Sequence, residues 1–249
     1  MRDRTHIGEM MMKKLILGAI ASAVSAFALA GSNVLTVSCF SQFRAHQYEA
    51  AYAACEKADA QDADSGIDFA LGYMLANGYG TERDEVKAGE YFKTAADAGD
   101  YEAAYNLGLM YRNGKGVRQD KRKAAEYFLQ AAKSGQPVAA FNLAVMMSNG
   151  DGVAKDEKGA ITWYKTAVRG GYAAACLNIG TLYANGVAGA MPDLVEASAW
   201  FKAAVSMAKD NAQLAKTASG NAQNAAKFLN DKQVSQAEKR ANEILAGKF

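Results

Sequence analysis

Apolar residues in the middle of this chain recur with a helical rhythm and, over a longer range, at one fixed interval. Leu71, Leu107, Leu143 and Ile179 stand 36 positions apart. Each opens a related string: Leu71-Gly72-Tyr73-Met74-Leu75-Ala76-Asn77-Gly78, Leu107-Gly108-Leu109-Met110-Tyr111-Arg112-Asn113-Gly114, Leu143-Ala144-Val145-Met146-Met147-Ser148-Asn149-Gly150 and Ile179-Gly180-Thr181-Leu182-Tyr183-Ala184-Asn185-Gly186. A constant period of this length marks a stacked repeat protein, in which each unit buries its apolar face only against its neighbours. Such a chain is built for binding.

Two helices are predicted within each repeat. In the clearest copy helix A covers about 103–113 and ends at Gly114-Lys115-Gly116, and helix B covers about 120–134. Glycine ends the first helix because it accepts left-handed geometry that other residues resist. Asp84, Asp120, Asp156 and Asp193 recur at the start of helix B, where a carboxylate caps free amides and complements the helix dipole. Gly99, Gly135 and Gly171 close it. The fourth copy carries one extra residue between Val187 and Pro192, after which Trp163-Tyr164 finds its counterpart in Trp200-Phe201.

The column Gly72, Gly108, Ala144, Gly180 lies inside helix A, where glycine costs about 1 kcal/mol relative to alanine. A small residue there implies close approach of a neighbouring helix. Tyr91-Phe92, Tyr127-Phe128 and Trp163-Tyr164 on helix B supply the large partners, so large and small side chains interdigitate.

The start of the chain points to export. Lys13 and Lys14 precede an apolar run over 15–29, and Ala28-Leu29-Ala30 is a small-x-small cleavage pattern, so 1–30 is expected to be a removed signal peptide. The run is short for a membrane span, which leaves no stable span after signal removal. Adjacent Met10, Met11 and Met12 leave the start codon open, and Val37-Ser38-Cys39 loosely resembles a lipoprotein cut site, though Thr36 stands where Leu is wanted. Of 28 basic and 26 acidic side chains, four basic (Arg2, Arg4, Lys13, Lys14) and two acidic (Asp3, Glu9) fall in 1–30, leaving 24 of each. A neutral mature chain without a clustered basic face offers nothing to nucleic acid. Of three cysteines, Cys176 shares a column with Ala104 and Ala140 and reads as a small buried residue, which leaves Cys39 and Cys55 as the candidate disulfide.

The pattern Leu-Gly-x-x-Tyr-x-x-Gly-x-Gly-Val at 107–117, followed by Asp-x-x-Lys-Ala-x-x-Tyr-Phe-x-x-Ala-Ala-x-x-Gly at 120–135, resembles the Sel1-like repeat. The likeness extends over 66–208 in four copies, with departures at Leu75, Met147, Thr81, Gly159, Glu196 and the insertion after Gly186. It implies an all-α fold, a right-handed superhelix (solenoid) of four antiparallel helix pairs related to tetratricopeptide repeats, used for protein–protein interaction. The flanks read as caps: a linker at 31–42, an N-terminal capping helix within 43–65, and C-terminal capping helices in 209–249. Among the latter, Ser235-Gln236-Ala237-Glu238 is read as a capping box opening the last helix.

If helix A lines a concave surface, as the tetratricopeptide resemblance suggests, a protein or peptide partner meets two columns: Phe69, Tyr105, Phe141 and Leu177, then Tyr73, Leu109, Val145 and Thr181. Arg112 and Ser148 lie one turn on. An aromatic at helical spacing is as often core as ligand contact, so the first column carries both readings. Asn106, Asn142 and Asn178 form a ladder that either holds a peptide backbone or satisfies neighbouring helices.

An enzymatic alternative is a cell-wall-active or β-lactam-binding hydrolase, since cysteine-rich relatives of this family have been linked to β-lactam hydrolysis. Ser206-Met207-Ala208-Lys209 has the Ser-x-x-Lys spacing. Tyr183 and Asn185 merely occupy the repeat columns of Tyr111 and Asn113, and Lys93-Thr94, Lys165-Thr166 and Lys216-Thr217 are followed by Ala where the third motif needs Gly. After signal removal His46 is the one histidine left, so no catalytic residue, metal site or cofactor is assigned.

Overall fold

A computed structural model describes residues 34–60 and 65–249. The signal-peptide expectation for 1–30 lies outside them. The described residues are all-helical, with twelve α-helices, one 3₁₀ turn and no strand. They form two compact units: one holds the residues up to 103 together with 115–118, and the other holds 104–114 and 119–249.

The first unit contains α1 (Val34–Arg44), α2 (Tyr48–Asp59), α3 (Ser65–Asn77), α4 (Glu85–Asp97) and the first turn of α5 (Tyr101–Asn113). The second contains the rest of α5, α6 (Lys121–Lys133), α7 (Pro137–Asn149), α8 (Glu157–Arg169), α9 (Ala173–Asn185), a 3₁₀ turn (Val187–Gly189), α10 (Leu194–Met207), α11 (Ala212–Ala226) and α12 (Asp231–Leu245). Thus α3, α5, α7 and α9 are the A helices, and α4, α6, α8 and α10 the B helices.

Each B helix starts as its sequence requires. The carboxylates of Asp84, Asp120, Asp156 and Asp193 accept from the N–H of Lys87, Lys123, Gly159 and Glu196 at 3.0, 3.0, 2.9 and 2.9 Å. Their own N–H groups donate back to the carbonyls of Leu75, Tyr111, Met147 and Tyr183 at 3.0, 2.9, 2.8 and 2.9 Å. The aspartate therefore satisfies a helix start and pins the loop to the preceding helix at once. The fourth copy keeps both bonds, because its extra residue is absorbed by the 3₁₀ turn, where Ala188 adopts φ 52°.

Three expectations about the caps are corrected. The stretch 31–42 is not a linker throughout but helical from Val34, because Cys39 and Phe43, four residues apart on one face, are both buried. The segment beginning at Phe43 is not one helix: the chain turns at His46, φ 59°, and α2 starts at Tyr48. The last helix opens one turn before Ser235. Asn230 accepts from the Gln233 N–H and Gln233 Oε1 accepts from the Asn230 N–H, both at 3.0 Å, so the reciprocal box lies there and Ser235 is inside the helix.

Cys39 and Cys55 form a disulfide joining α1 to α2, with Cα atoms 4.7 Å apart. Both are fully buried, in a core with Phe43, Ile67, Leu71 and Met74. An acylated Cys39 is incompatible with this bond. Cys176 is a free thiol with no solvent exposure, and burial pushes it from 9.0 up to about 12.

Candidate partner-binding face

On the second unit the A helices α5, α7 and α9 present Tyr105, Phe141 and Leu177 in one column and Leu109, Val145 and Thr181 in the next. Tyr105 is half-buried with its ring 5.8 Å from that of Phe128. Phe141 lies between Tyr164 and Tyr172, at 5.6 and 4.6 Å, and Leu177 packs beside Phe201. These three are mainly packing residues. Thr181 is exposed, Val145 and Leu109 are half-exposed, and Leu109 rests on the core around Phe128 and Leu143.

The polar residues are knit into the scaffold. Arg112 Nη1 donates to Asn142 Oδ1 at 2.6 Å while its guanidinium carbon lies 5.7 Å from the Phe128 ring centroid. Asn142 Nδ2 in turn donates to the Val138 carbonyl at 2.9 Å. Asn178 Nδ2 donates to the Tyr164 hydroxyl at 3.0 Å, and Ser148 Oγ donates to the Val145 carbonyl at 3.0 Å. Burial pushes the Tyr164 phenol up, opposed by the Ser148 and Asn178 groups beside its oxygen. The asparagine ladder thus satisfies neighbouring helices at two of its rungs; Asn106, half-buried on α5, is its third member. Arg112 remains the cation on this face, fixed in place by an amide and an aromatic ring.

In the first unit the core reading holds for Phe69. Phe69 is 4% exposed, its ring stacked on Tyr73 at 6.1 Å and tilted against Phe92 at 6.0 Å. Tyr73 is half-buried, 5.9 Å from both Phe43 and Tyr79. The covering ring comes from α1, outside the repeats, so repeat periodicity held no sign of it.

The Ser-x-x-Lys stretch lies at the end of α10. Ser206 Oγ donates to the Lys202 carbonyl at 3.2 Å, and both Ser206 and Lys209 are exposed. Among the described residues no group of three His, Cys, Asp or Glu side chains is placed to hold a metal, and no helix is long and apolar enough to cross a membrane.

Four consecutive segments, 68–100, 102–136, 137–172 and 173–208, match the Sel1 repeat. This chain belongs to the Sel1 repeat family. The Sel1 fold is typical of scaffolds for protein–protein interaction. A Sel1 repeat protein from Oxalobacter formigenes shares the fold with TM-score 0.64 at 24% identity, over 82% of this chain and 88% of that one. Protective antigen c5321 of uropathogenic Escherichia coli is 26% identical with TM-score 0.48, over 81% of this chain and 49% of its own, so this chain spans about half its length. Helicobacter pylori cysteine rich protein B is 26% identical with TM-score 0.40, over 59% of this chain and 98% of its own. No curated protein matches this Sel1 repeat chain significantly.

Proposed function

We propose that this Sel1 repeat protein is an exported, non-enzymatic scaffold that captures a protein or peptide partner on the A-helix face of its second unit. One observation carries this reading. Along α5, α7 and α9 the column Leu109, Val145, Thr181 changes in size and polarity from copy to copy, while the buried Gly108, Ala144, Gly180 column beside it stays small. A face free to vary over a fixed frame suits recognition, and Arg112, held by Asn142 and Phe128, gives it a positioned charge. The Cys39–Cys55 disulfide supports export, because such bonds persist in oxidising compartments.

A photo-crosslinking residue placed at Val145 or Thr181 should give one discrete adduct in cells, whereas the same residue at exposed Lys239 on α12 should not. Changing Arg112, Val145 and Thr181 together to Ser should abolish the adduct formed from a crosslinker at Leu109. Equal adducts from both surfaces would place the partner elsewhere. Export is tested separately by sequencing the mature N-terminus, expected at Gly31; material still carrying residues 13–30 would refute it.

A further inference from the structure

The segment that follows α12 caps that helix, with the Lys248 N–H donating to the Glu243 carbonyl at 2.9 Å, and then lays Phe249 on α8 and α10. Gly247, φ 75°, turns the chain off the helix, and Phe249 then sets its ring edge-on to Trp200 of α10, centroids 5.5 Å apart. The guanidinium carbon of Arg169, the last residue of α8, lies 5.0 Å from the centroid of the same ring. Arg169 Nη2 reaches the main-chain oxygen of Phe249 at 3.5 Å, and Arg240 Nη1 donates to the Lys248 carbonyl at 3.0 Å. Trp200 is fully buried with the segment in place.

The receptacle also has bonds of its own that do not involve its occupant. Glu196 accepts from Trp200 Nε1 at 3.0 Å and from Arg240 Nε at 2.7 Å, which fixes the indole and the guanidinium relative to each other. Glu243 holds Arg240 from its own helix at 3.2 Å. What these groups read is one aromatic ring and two consecutive main-chain oxygens. The Lys248 side chain is exposed, so the contacts to Arg169, Trp200 and Arg240 ask only for an aromatic ring and two main-chain oxygens.

We infer that the Arg169–Trp200–Arg240 cluster is a second peptide-binding site, for a segment bearing an aromatic residue, kept closed in cis by residues 248–249. It uses the B helices α8 and α10 with α12, and so stands apart from the A-helix face. Displacing Phe249 opens it. An incoming aromatic residue takes the place of Phe249 between indole and guanidinium, and its backbone takes over the two arginines.

The probe is a synthetic peptide of residues 245–249, titrated into the full chain, into Phe249→Ala and into a chain ending at Gly247, all in a Trp163→Phe background so that the indole N–H resonance reports Trp200. Both altered chains should bind the peptide saturably and return the resonance to its position in the full chain. The full chain should bind at least tenfold more weakly, and a peptide carrying Phe249→Ala at least tenfold more weakly than its parent. Folded variants that give no shift at millimolar peptide, or equal binding by all three chains, would overturn the site. Loss of helicity in both variants would also overturn it, since the segment would then be a structural plug.

Discussion

A β-carbon added to Gly108 of α5 would lie 2.8 Å from Cδ1 of Phe128 on α6, closer than side-chain carbons pack. The same relation holds between Gly180 and Phe201 at 2.7 Å, and, within the first unit, between Gly72 and Phe92 at 2.9 Å. In the third copy Ala144 stands in the glycine column and Tyr164 in the phenylalanine column, both buried. In the three glycine copies the ring lies where a β-carbon would go, and the third copy shows that one methyl is accommodated beside Tyr164. Phe128 is fully buried. Gly108→Leu is expected to destabilise the second unit by about 1–3 kcal/mol or more through overpacking. Chemical denaturation followed by circular dichroism checks this, and an unchanged midpoint would remove Gly108 from the packing column.

The second glycine of each Gly-x-Gly loop answers to a different constraint. Gly116 has φ 67°, and a β-carbon there would fall into the main chain of Glu85 at the start of α4. Left-handed geometry alone costs a side chain roughly 1–2 kcal/mol. Gly116→Ala should therefore destabilise by more than about 2 kcal/mol, whereas Gly135→Ala, with open space around the missing β-carbon, should cost only the backbone term. Comparable losses at the two sites in a melting experiment would contradict the close-approach account.

Asp120 closes the A-to-B loop of its repeat with a side-chain cap and a main-chain bond to Tyr111. Asp120→Ala keeps the main-chain bond and loses the cap, with an expected loss of about 1 kcal/mol; Asp120→Asn should recover most of it. If Asn proves as damaging as Ala in urea denaturation, charge with the helix dipole outweighs the cap hydrogen bond.

The disulfide closes a loop across 16 positions and ties the paired N-terminal helices together. In the chain-entropy model a loop of that size contributes about 3 kcal/mol. Adding dithiothreitol, or introducing Cys39→Ala with Cys55→Ala, should lower the unfolding free energy of the first unit by an amount in that range, read from chemical denaturation. No change on reduction would mean that burial of α1 and α2 suffices without the bond.

Cys176 makes a stability prediction with a definite sign. With its thiol raised by burial from 9.0 to about 12, folded and unfolded chains both carry a neutral thiol below pH 9, and the contribution is fully present there. Between pH 9 and 12 the unfolded chain loses that proton and the folded chain does not. Stability then falls by about 1.4 kcal/mol per pH unit from this group. Cys176→Ala, the residue found at Ala104 and Ala140, should lack this component, so the stability difference between parent and variant should shift in favour of the variant from pH 8 to pH 10.5. The buried thiol should also stay unreactive towards a thiol reagent in the native protein at pH 8, and rapid labelling there would show that the site opens.

Repeat length, the pairing of helices, their aspartate starts, their glycine ends and the small-against-aromatic columns were all legible in the sequence. Each is a local or periodic property, fixed by residues within one unit or recurring at one interval, and periodicity states which residues share a helix face. It does not state what covers that face. Phe69 carries both a core and a groove reading in the sequence and Tyr73 a groove reading; the fold sets Phe92 against Phe69 and Phe43, from a helix outside the repeats, beside Tyr73. Asn142 read equally as a peptide holder until Arg112 was found on its oxygen and the Val138 carbonyl on its amide. Phe249 meets Trp200 and Arg169 only because the chain turns at Gly247 and returns over α8 and α10. The Phe69–Phe92 pair recurs as Tyr105–Phe128 and Phe141–Tyr164, but the contacts of Phe43, Arg112 and Phe249 join residues far apart in the chain that have no counterpart in the other copies, so packing in three dimensions alone selects them.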